Sequence, residues 1–479
     1  MQNRYGVFGF HLPSKFIFRI QMIKNRNDRW FRLFLGKLYN EKVRMNVLQA
    51  FPFWTAALLV GLTAVLYTKV FIYVETLSHT MILGHPLLLF ILTPFCFVLA
   101  WWVVKKFEER AAGSGIPQVM AAIDLANPKY NHLVDKLLSL KVIFIKVLST
   151  LLMILGGGAI GREGPTVQIA GSIFRIVNNL LPKSWPKVSK KNMIMTGAAA
   201  GLAASFNTPL GGMVFAVEEL AKTHISYFKI ALFTGVIIAG ITAQGILGPY
   251  LYLGYPDVNN VSKKLFLFVL LVACIAGFAG SIMSVIILRI LNWKRTLQHK
   301  SSQILYVIGC GLLIAVIAYF FNLGILGSGK EQMTQALFTQ DKHVGFALPI
   351  FRIIGSIVSF TTGAAGGIFA PSLGAGATVG ALVAETFNFS GANANILVLA
   401  GMVAFLTGVT RSPFTSAILV LEMTDRHSVV FYLMLAGMTA SLFSSLIDKH
   451  SLYDHVRDWY LNEVYKIDHL NGKITDEEN

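Results

Sequence analysis

Long apolar segments separated by short polar ones run along the chain from Val47 to Leu446. A helix needs about 20 apolar residues to cross the hydrocarbon core of a bilayer. The first two apolar runs, at about 47–73 and 82–104, are long enough to cross. Further apolar runs lie at about 137–155, 193–219, 226–247, 265–291, 303–323, 395–424 and 429–447, and many of the runs are too short or too broken to be simple spans. This pattern predicts an all-α polytopic membrane protein.

Glycine and proline interrupt several of the apolar segments. The main breaks fall at 113–117, 156–165, 207–209 and 363–371. Non-helical backbone at membrane depth is tolerated only where protein covers it or where it lines an aqueous cavity. We therefore expect broken and re-entrant helices around a protected path.

The break at Gly161–Pro165 carries a charged pair, Arg162 and Glu163, between two apolar runs. A charge at the centre of a membrane helix costs about 2.5–3.5 kcal/mol, so such residues usually serve a function. Pro165 suits the first turn of a new helix, because it has no N–H to leave unpaired there. Glu163 is thus predicted at a helix N-terminus, where backbone N–H groups and the helix dipole favour an anion. A carboxylate there can occupy the place of a free anion, and protonation can release it.

Two parts of the chain share this arrangement of breaks. Residues 197–219 align with 401–423, and the alignment pairs Glu218 with Glu422. Upstream, the Gly161 break matches a similar one at Gly367. Repeated halves with broken helices at matching positions indicate a transporter-type fold with its site where the repeats meet. The pattern alone does not say whether the two halves are inverted.

Charge adds an orientation to this picture. The chain is 54% hydrophobic and 14% charged, with a net charge of +17. The basic residues cluster between apolar runs, at 105–110, 183–191 and 294–300, and in the N-terminal segment. The positive-inside rule places such loops in the cytoplasm, so both termini are predicted there and no nucleic-acid partner is expected. Arg19 to Arg44 mixes basic and aromatic residues, which is typical of a helix lying on anionic membrane lipid.

These features divide the chain into four parts. They are a basic cytoplasmic N-terminal segment at 1–45, membrane repeats at 46–250 and 251–460, and a cytoplasmic tail at 461–479.

Nothing in the sequence indicates an enzyme, a metal or a cofactor. The three cysteines and eleven histidines match no metal-ligand spacing, and no nucleophile–base arrangement stands out. Gly324 to Lys330 nearly fits a phosphate-binding loop, but Glu331 replaces the required Ser or Thr and no strand precedes it. We therefore discount nucleotide binding at this loop.

Three glycine-rich motifs now stand in order: Gly113-Ser-Gly-Ile-Pro117, Gly161-Arg-Glu-Gly-Pro165 and Gly367-Ile-Phe-Ala-Pro371, with Tyr453 near the C-terminal end. Together they resemble the CLC family of chloride channels and proton/chloride antiporters, in particular its prokaryotic antiporters. The resemblance implies two inverted-topology halves and a homodimer whose subunits each have an anion path. Because the chain continues for only 26 residues after Tyr453, we expect it to lack the paired regulatory domain of many eukaryotic members. We expect a protein of a bacterial inner membrane that exchanges chloride for protons.

The resemblance also implies roles for particular residues. Chloride would be bound by the hydroxyls of Ser114 and Tyr453 and by the backbone N–H groups of Ile368 and Phe369. Glu163 would be the gating carboxylate and outer proton acceptor, and Glu219 the inner proton-transfer residue. Neutral donors of this kind bind an anion without holding it too tightly to leave.

Some alternatives remain open at this level. Ser114 could cap a helix, and Tyr453 could anchor the chain at the membrane interface. The adjacent Glu218 and Glu219 should face different directions on a helix, and the repeat favours Glu218 as the structural one. Passive gated chloride channels share the gate glutamate, so a channel is the alternative function. Gln118 stands where many members carry Glu, with an effect that the sequence leaves open.

Overall fold

The computed structural model describes residues 41–477 except 183–184, 187, 222–228, 249–250, 260–261, 263 and 340–343. The predicted lipid-surface helix at Arg19 to Arg44 and the N-terminal segment lie almost entirely outside these residues. So do Lys183 and Lys187 of one basic cluster.

Helices make up nearly all of the described chain. Those of the first half are α1 (Glu41–Gly84), α2 (Leu89–Phe107), α3 (Ile116–Asp124), α4 (Asn131–Leu137), α5 (Leu140–Leu155), α6 (Glu163–Leu180), α7 (Lys190–Phe206), α8 (Pro209–Phe215) and α9 (Lys229–Leu247). Those of the second half are α10 (Leu265–Thr296), α11 (Lys300–Phe320), α12 (Lys330–Phe338), α13 (Ala347–Thr361), α14 (Phe369–Thr386), α15 (Gly391–Thr410), α16 (Pro413–Thr424), α17 (Val430–Ser445) and α18 (Leu452–Glu477).

Within the described residues, eight helical stretches are long and apolar enough to cross a membrane. They confirm the all-α polytopic prediction. The span at Gly391–Thr410 is the most enclosed, whereas Ile230–Leu247 leaves most of its surface open, as a lipid-facing helix does. α1 ends at Gly84, and α2 begins nearby at Leu89 and ends at Phe107. We call the side of the molecule at the end of α1 the Gly84 face, and the side at the end of α2 the Phe107 face.

Small residues allow the central helices to approach closely. A Cβ at Gly376 or Gly380 of α14 would lie 2.3 Å from a backbone carbonyl oxygen of α15, and one at Gly401 would meet α14 at the same distance. Lipid offers no hydrophobic drive for helix association, so membrane helices rely on close packing of this kind.

The two halves end their matching helices alike. α7 and α15 terminate in left-handed residues, Asn207 at φ 59° and Arg411 at φ 62°, and proline begins the next helix in each half. Glu218 accepts hydrogen bonds from backbone N–H groups of residues 414–415 at 3.1 and 2.6 Å. Glu422 does the same for residues 210–211, at 3.0 and 2.6 Å. Each half thus caps the helix of the other, which is a structural role for Glu218.

Candidate functional site

The three glycine-rich breaks meet in the middle of the protein. Backbone hydrogen bonds of 2.8 Å join Gly161 and Gly367 in both directions. Gly113 donates to the Ala364 carbonyl at 2.9 Å, and its own carbonyl accepts from Gly366 at 3.1 Å. These bonds satisfy backbone groups that the helix breaks leave without helical partners. They also bring together motifs that lie about 50 and 200 residues apart in the sequence.

Glu163 begins α6, as predicted, and its side chain is buried. The carboxylate interacts with two backbone N–H groups, its own and that of Ala370 in the first turn of α14. It therefore faces the N-termini of two helices, both of which favour an anion. Gly161 lets it lie there, because a Cβ on Gly161 would sit 2.2 Å from the carboxylate oxygen.

The hydroxyls of Ser114 and Tyr453 interact with each other. Both are buried, and neither makes a hydrogen bond of normal geometry within the described residues. Ser114 is not the helix cap: Gly115 is, in a left-handed conformation. Tyr453 is fully buried, so it is not an interfacial anchor. Two buried hydroxyls that make no hydrogen bond of normal geometry within the described residues leave donors for a ligand, and an anion is the matching kind.

Ile368 and Phe369 lie where α14 begins, and both are buried. The first N–H groups of a helix have no partner within that helix, so they are available to a ligand. The Phe369 ring stacks on the Tyr453 ring, with centroids 6.1 Å apart and planes at 9°. Stacking holds the tyrosine beside the start of α14. The structure therefore groups the four predicted chloride ligands.

Glu219 lies in a π-helical turn, Ala216–Ala221, that continues α8. The buried Ser412 hydroxyl donates to its carboxylate at 2.5 Å. Glu218 and Glu219 therefore both reach the N-terminal end of α16, where Ser412 is the cap residue, although neighbours on a regular helix would diverge. π-turns are frequent at functional sites because they redirect side chains in this way.

A cavity of about 680 Å³ opens on the Phe107 face and reaches Gly113, Ser114 and Pro117. Basic side chains line it, namely Lys105, Lys106, Arg110, Lys141, Lys294 and Arg295. The cavity has fewer glutamates than basic residues, namely Glu108, Glu109 and Glu463. A surplus of positive charge concentrates anions in front of Ser114.

The sequence reasoning missed several buried cations, among them Lys146 and Arg352. Lys146 of α5 donates to the carbonyls of Ala112 and Gly113 at 3.3 and 3.0 Å, which holds the backbone next to Ser114. Arg352 of α13 is equally buried. A charged residue inside an apolar run was the available signal, since such residues are usually functional.

The contacts of Gln118 explain why this position carries an amide and not the carboxylate of a glutamate. Its Nε2 donates to the Ala112 carbonyl at 2.7 Å and to the Tyr460 hydroxyl at 3.0 Å. An ionised glutamate has no proton to donate to that carbonyl. Gln118 thus ties the Ser114 loop to α18, the helix that begins next to Tyr453.

The site combines buried hydroxyls that make no normal hydrogen bond within the described part of the chain, two helix N-termini, and a carboxylate that can take the place of a free anion. Together these features define a membrane anion-transport protein. The donors lie inside a bundle of apolar helices, with a basic cavity leading to them. A family model described as "Voltage gated chloride channel" matches residues 96–445. The chain belongs to this family, the CLC family of anion transport proteins, whose members are not enzymes.

Relatives and solved structures agree with this assignment. The chain is 30% identical over 420 residues to the H(+)/Cl(-) exchange transporter ClcA of Citrobacter koseri, covering 83% of this chain and 85% of that protein. It is 29% identical over 425 residues to the Salmonella arizonae ClcA, with the same coverage.

Solved CLC proteins share the fold. A slow cyanobacterial Cl-/H+ antiporter superposes with a TM-score of 0.76 at 23% identity, covering 87% of this chain and 98% of that one. A CLC-type fluoride/proton antiporter gives 0.71 at 18% identity, with 86% and 98% covered. At these identities the likeness concerns the fold, and the transported anion needs its own argument.

Proposed function

We propose that the chain exchanges chloride for protons across a membrane. The observation that carries this proposal is a pair of buried carboxylates. Glu163 stands at the start of α6, and Glu219 accepts a hydrogen bond from Ser412 just before α16. An exchanger needs a proton acceptor on each side of its anion, whereas a channel needs only a gate.

Chloride binds, in this proposal, between the hydroxyls of Ser114 and Tyr453 and the N–H groups of Ile368 and Phe369. Glu163 competes for the neighbouring position at the start of α6. When Glu163 is ionised, the helix N-termini hold its carboxylate in place; when it is protonated, that attraction falls and an anion can replace it.

Glu219 is the inner proton acceptor. Its buried carboxylate is stabilised by the Ser412 hydroxyl. Channel members of the family typically carry an apolar residue at this position, and an unpaired carboxylate in an apolar setting would be costly. The exchanger names of the bacterial relatives also favour this assignment.

The Phe107 face is the cytoplasmic face in this proposal, because the basic clusters 105–110 and 294–300 lie at the ends of helices there. The location that follows is a bacterial inner membrane.

We also propose a homodimer, as the family resemblance implies. Light scattering of the purified protein in detergent measures the mass of the assembly. A mass equal to that of one subunit would contradict the homodimer.

The test of exchange uses purified protein in liposomes with fixed chloride and a pH gradient. An exchanger moves chloride until both gradients balance, so the zero-flux voltage shifts with pH; a passive channel ignores the pH gradient. Glu219→Gln should stop proton movement and keep chloride movement, while Glu218→Gln, with the same loss of charge, should keep both. Absence of a pH-dependent shift in the unmodified protein would establish the channel alternative.

A further inference from the structure

The two hydroxyls of the predicted chloride site belong to separate elements. Ser114 lies in the loop before α3, and Tyr453 lies in the first turn of α18. An anion that is bound by both hydroxyls needs them at a fixed separation, because a hydrogen bond weakens steeply when its geometry departs from the optimum. The contacts that hold the two elements together therefore affect anion binding, even where they do not touch the anion.

The Ser114 loop has little stiffness of its own. Gly113 and Gly115 flank Ser114 with φ angles of 60° and 102°, both in the left-handed region. Glycine adopts many backbone conformations at similar energy, so contacts from outside the loop must select this one.

Two side chains hold the carbonyl just before this loop. The Ala112 oxygen accepts from the Gln118 amide at 2.7 Å and from the Lys146 ammonium at 3.3 Å. Gln118 is buried, and its Nε2 also faces the Arg110 carbonyl at 3.3 Å and the Tyr460 hydroxyl at 3.0 Å. These contacts fix the orientation of the amide, because the reverse orientation would place its oxygen against carbonyl oxygens.

One amide nitrogen thus connects the elements that carry the two hydroxyls. Ala112 lies two residues before Ser114. Tyr460 lies about two helical turns after Tyr453 on the same helix, α18. A change at Gln118 therefore acts on both sides of the predicted chloride position.

We propose that Gln118 is a positioning residue for chloride binding, and that this position requires an uncharged donor. Its amide sets the separation of the Ser114 and Tyr453 hydroxyls. An ionised carboxylate would present only acceptors to the neighbouring carbonyls, which cannot donate to it, so the loop would move away. The inference rests on the chloride ligands proposed above and not on proton coupling.

The groups around Gln118 carry charges of both signs. They are Glu109 and Arg110 of the preceding loop, Lys146 of α5, Arg295 of α10, and Tyr460 and Glu463 of α18. Lys146 shares an acceptor with Gln118, so it is the cation that could neutralise a carboxylate there. Its ammonium already donates to the Ala112 and Gly113 carbonyls, however, and a new ion pair would compete with those bonds.

Gln118→Glu separates the donor from the shape of the side chain, because a carboxyl donates only when it is protonated. The readout is chloride affinity from titration calorimetry in detergent, divided by the affinity of the unmodified protein at the same pH. This division removes the pH dependence that Glu163 itself brings. The relative affinity should be about three- to tenfold weaker at about pH 8 and should return to within about twofold at about pH 4.5.

Two further variants separate the donor from other effects of the substitution. Gln118→Met has a similar volume and no donor, so its relative affinity should be weaker by a similar factor at both pH values. Gln303→Glu is the matched control. Gln303 lines the same cavity, and its Nε2 donates at 2.8 Å to the Leu297 carbonyl, which lies outside the Ser114 loop. This variant should keep the same relative affinity at both pH values.

The outcomes distinguish this inference from the proposed function. A relative affinity of Gln118→Glu that is equal at both pH values would overturn the positioning role, and so would unchanged affinity in Gln118→Met. Ser114→Ala belongs in the same series: unchanged affinity in that variant would contradict the placement of the anion itself. Missing proton movement in the unmodified protein would contradict exchange and leave this binding readout intact.

Discussion

Removal of the Tyr453 hydroxyl should weaken chloride binding without weakening the fold. In Tyr453→Phe, the anion loses one donor. A hydrogen bond to a charged group contributes about 1.5–3 kcal/mol, which corresponds to a dissociation constant about 10- to 100-fold higher. The hydroxyl makes no hydrogen bond of normal geometry to the described protein, so its loss breaks none. The free energy of unfolding without chloride should thus change by less than about 1 kcal/mol.

The assay is titration calorimetry in detergent, together with thermal unfolding at rising chloride. A ligand that binds only the folded state stabilises it in proportion to the logarithm of its concentration over Kd, so Tyr453→Phe should need more chloride for the same gain. Ser114→Ala should behave likewise. Ser172→Ala is the matched control: its hydroxyl donates to the Gln168 carbonyl at 2.8 Å, so it should lower stability and leave chloride affinity unchanged. Unchanged chloride affinity in both Tyr453→Phe and Ser114→Ala would refute the placement of the anion.

Three further outcomes are expected. Glu163→Ala should let chloride move without protons and flatten the pH dependence of flux; a variant that still pumps protons with chloride would contradict the gate. Ser114→Pro should raise nitrate/proton coupling above that of the unmodified protein, which should prefer chloride and bromide and transport fluoride poorly; tightly coupled nitrate exchange without the substitution would count against this. Glu218→Ala and Glu422→Ala should each lower stability by about 1–2 kcal/mol, as lost helix caps do, with proton coupling retained; thermal unfolding and coupled flux together check this.

Much of the architecture follows from local sequence. An apolar run of span length must be a helix in lipid, because no other backbone form satisfies its own polar groups there. Glycine and proline mark the breaks by the same logic. They predict Glu163 at the start of a helix, and the structure confirms that position. The repeat also predicted a structural role for Glu218. The structure confirms that role, because Glu218 and Glu422 each cap a helix of the other half.

Other features depend on residues that only folding brings together. Lys146 supports the Ser114 loop from α5, and Gln118 joins that loop to Tyr460, 342 positions away. A hydropathy pattern records which residues avoid lipid, but not which carbonyl a buried amine will meet.

The loop before Lys330 shows the same limit in its clearest form. Its glycines indicate a tight turn, yet the direction of its carbonyls is set by Arg352 from α13, and its N–H at Ser328 is taken by Glu75 from α1. The sequence alone determined that this is a helical membrane protein with a carboxylate at a helix break. The tertiary structure decided which charges share a site, because electrostatic and hydrogen-bonded partners are chosen by distance in space and not along the chain.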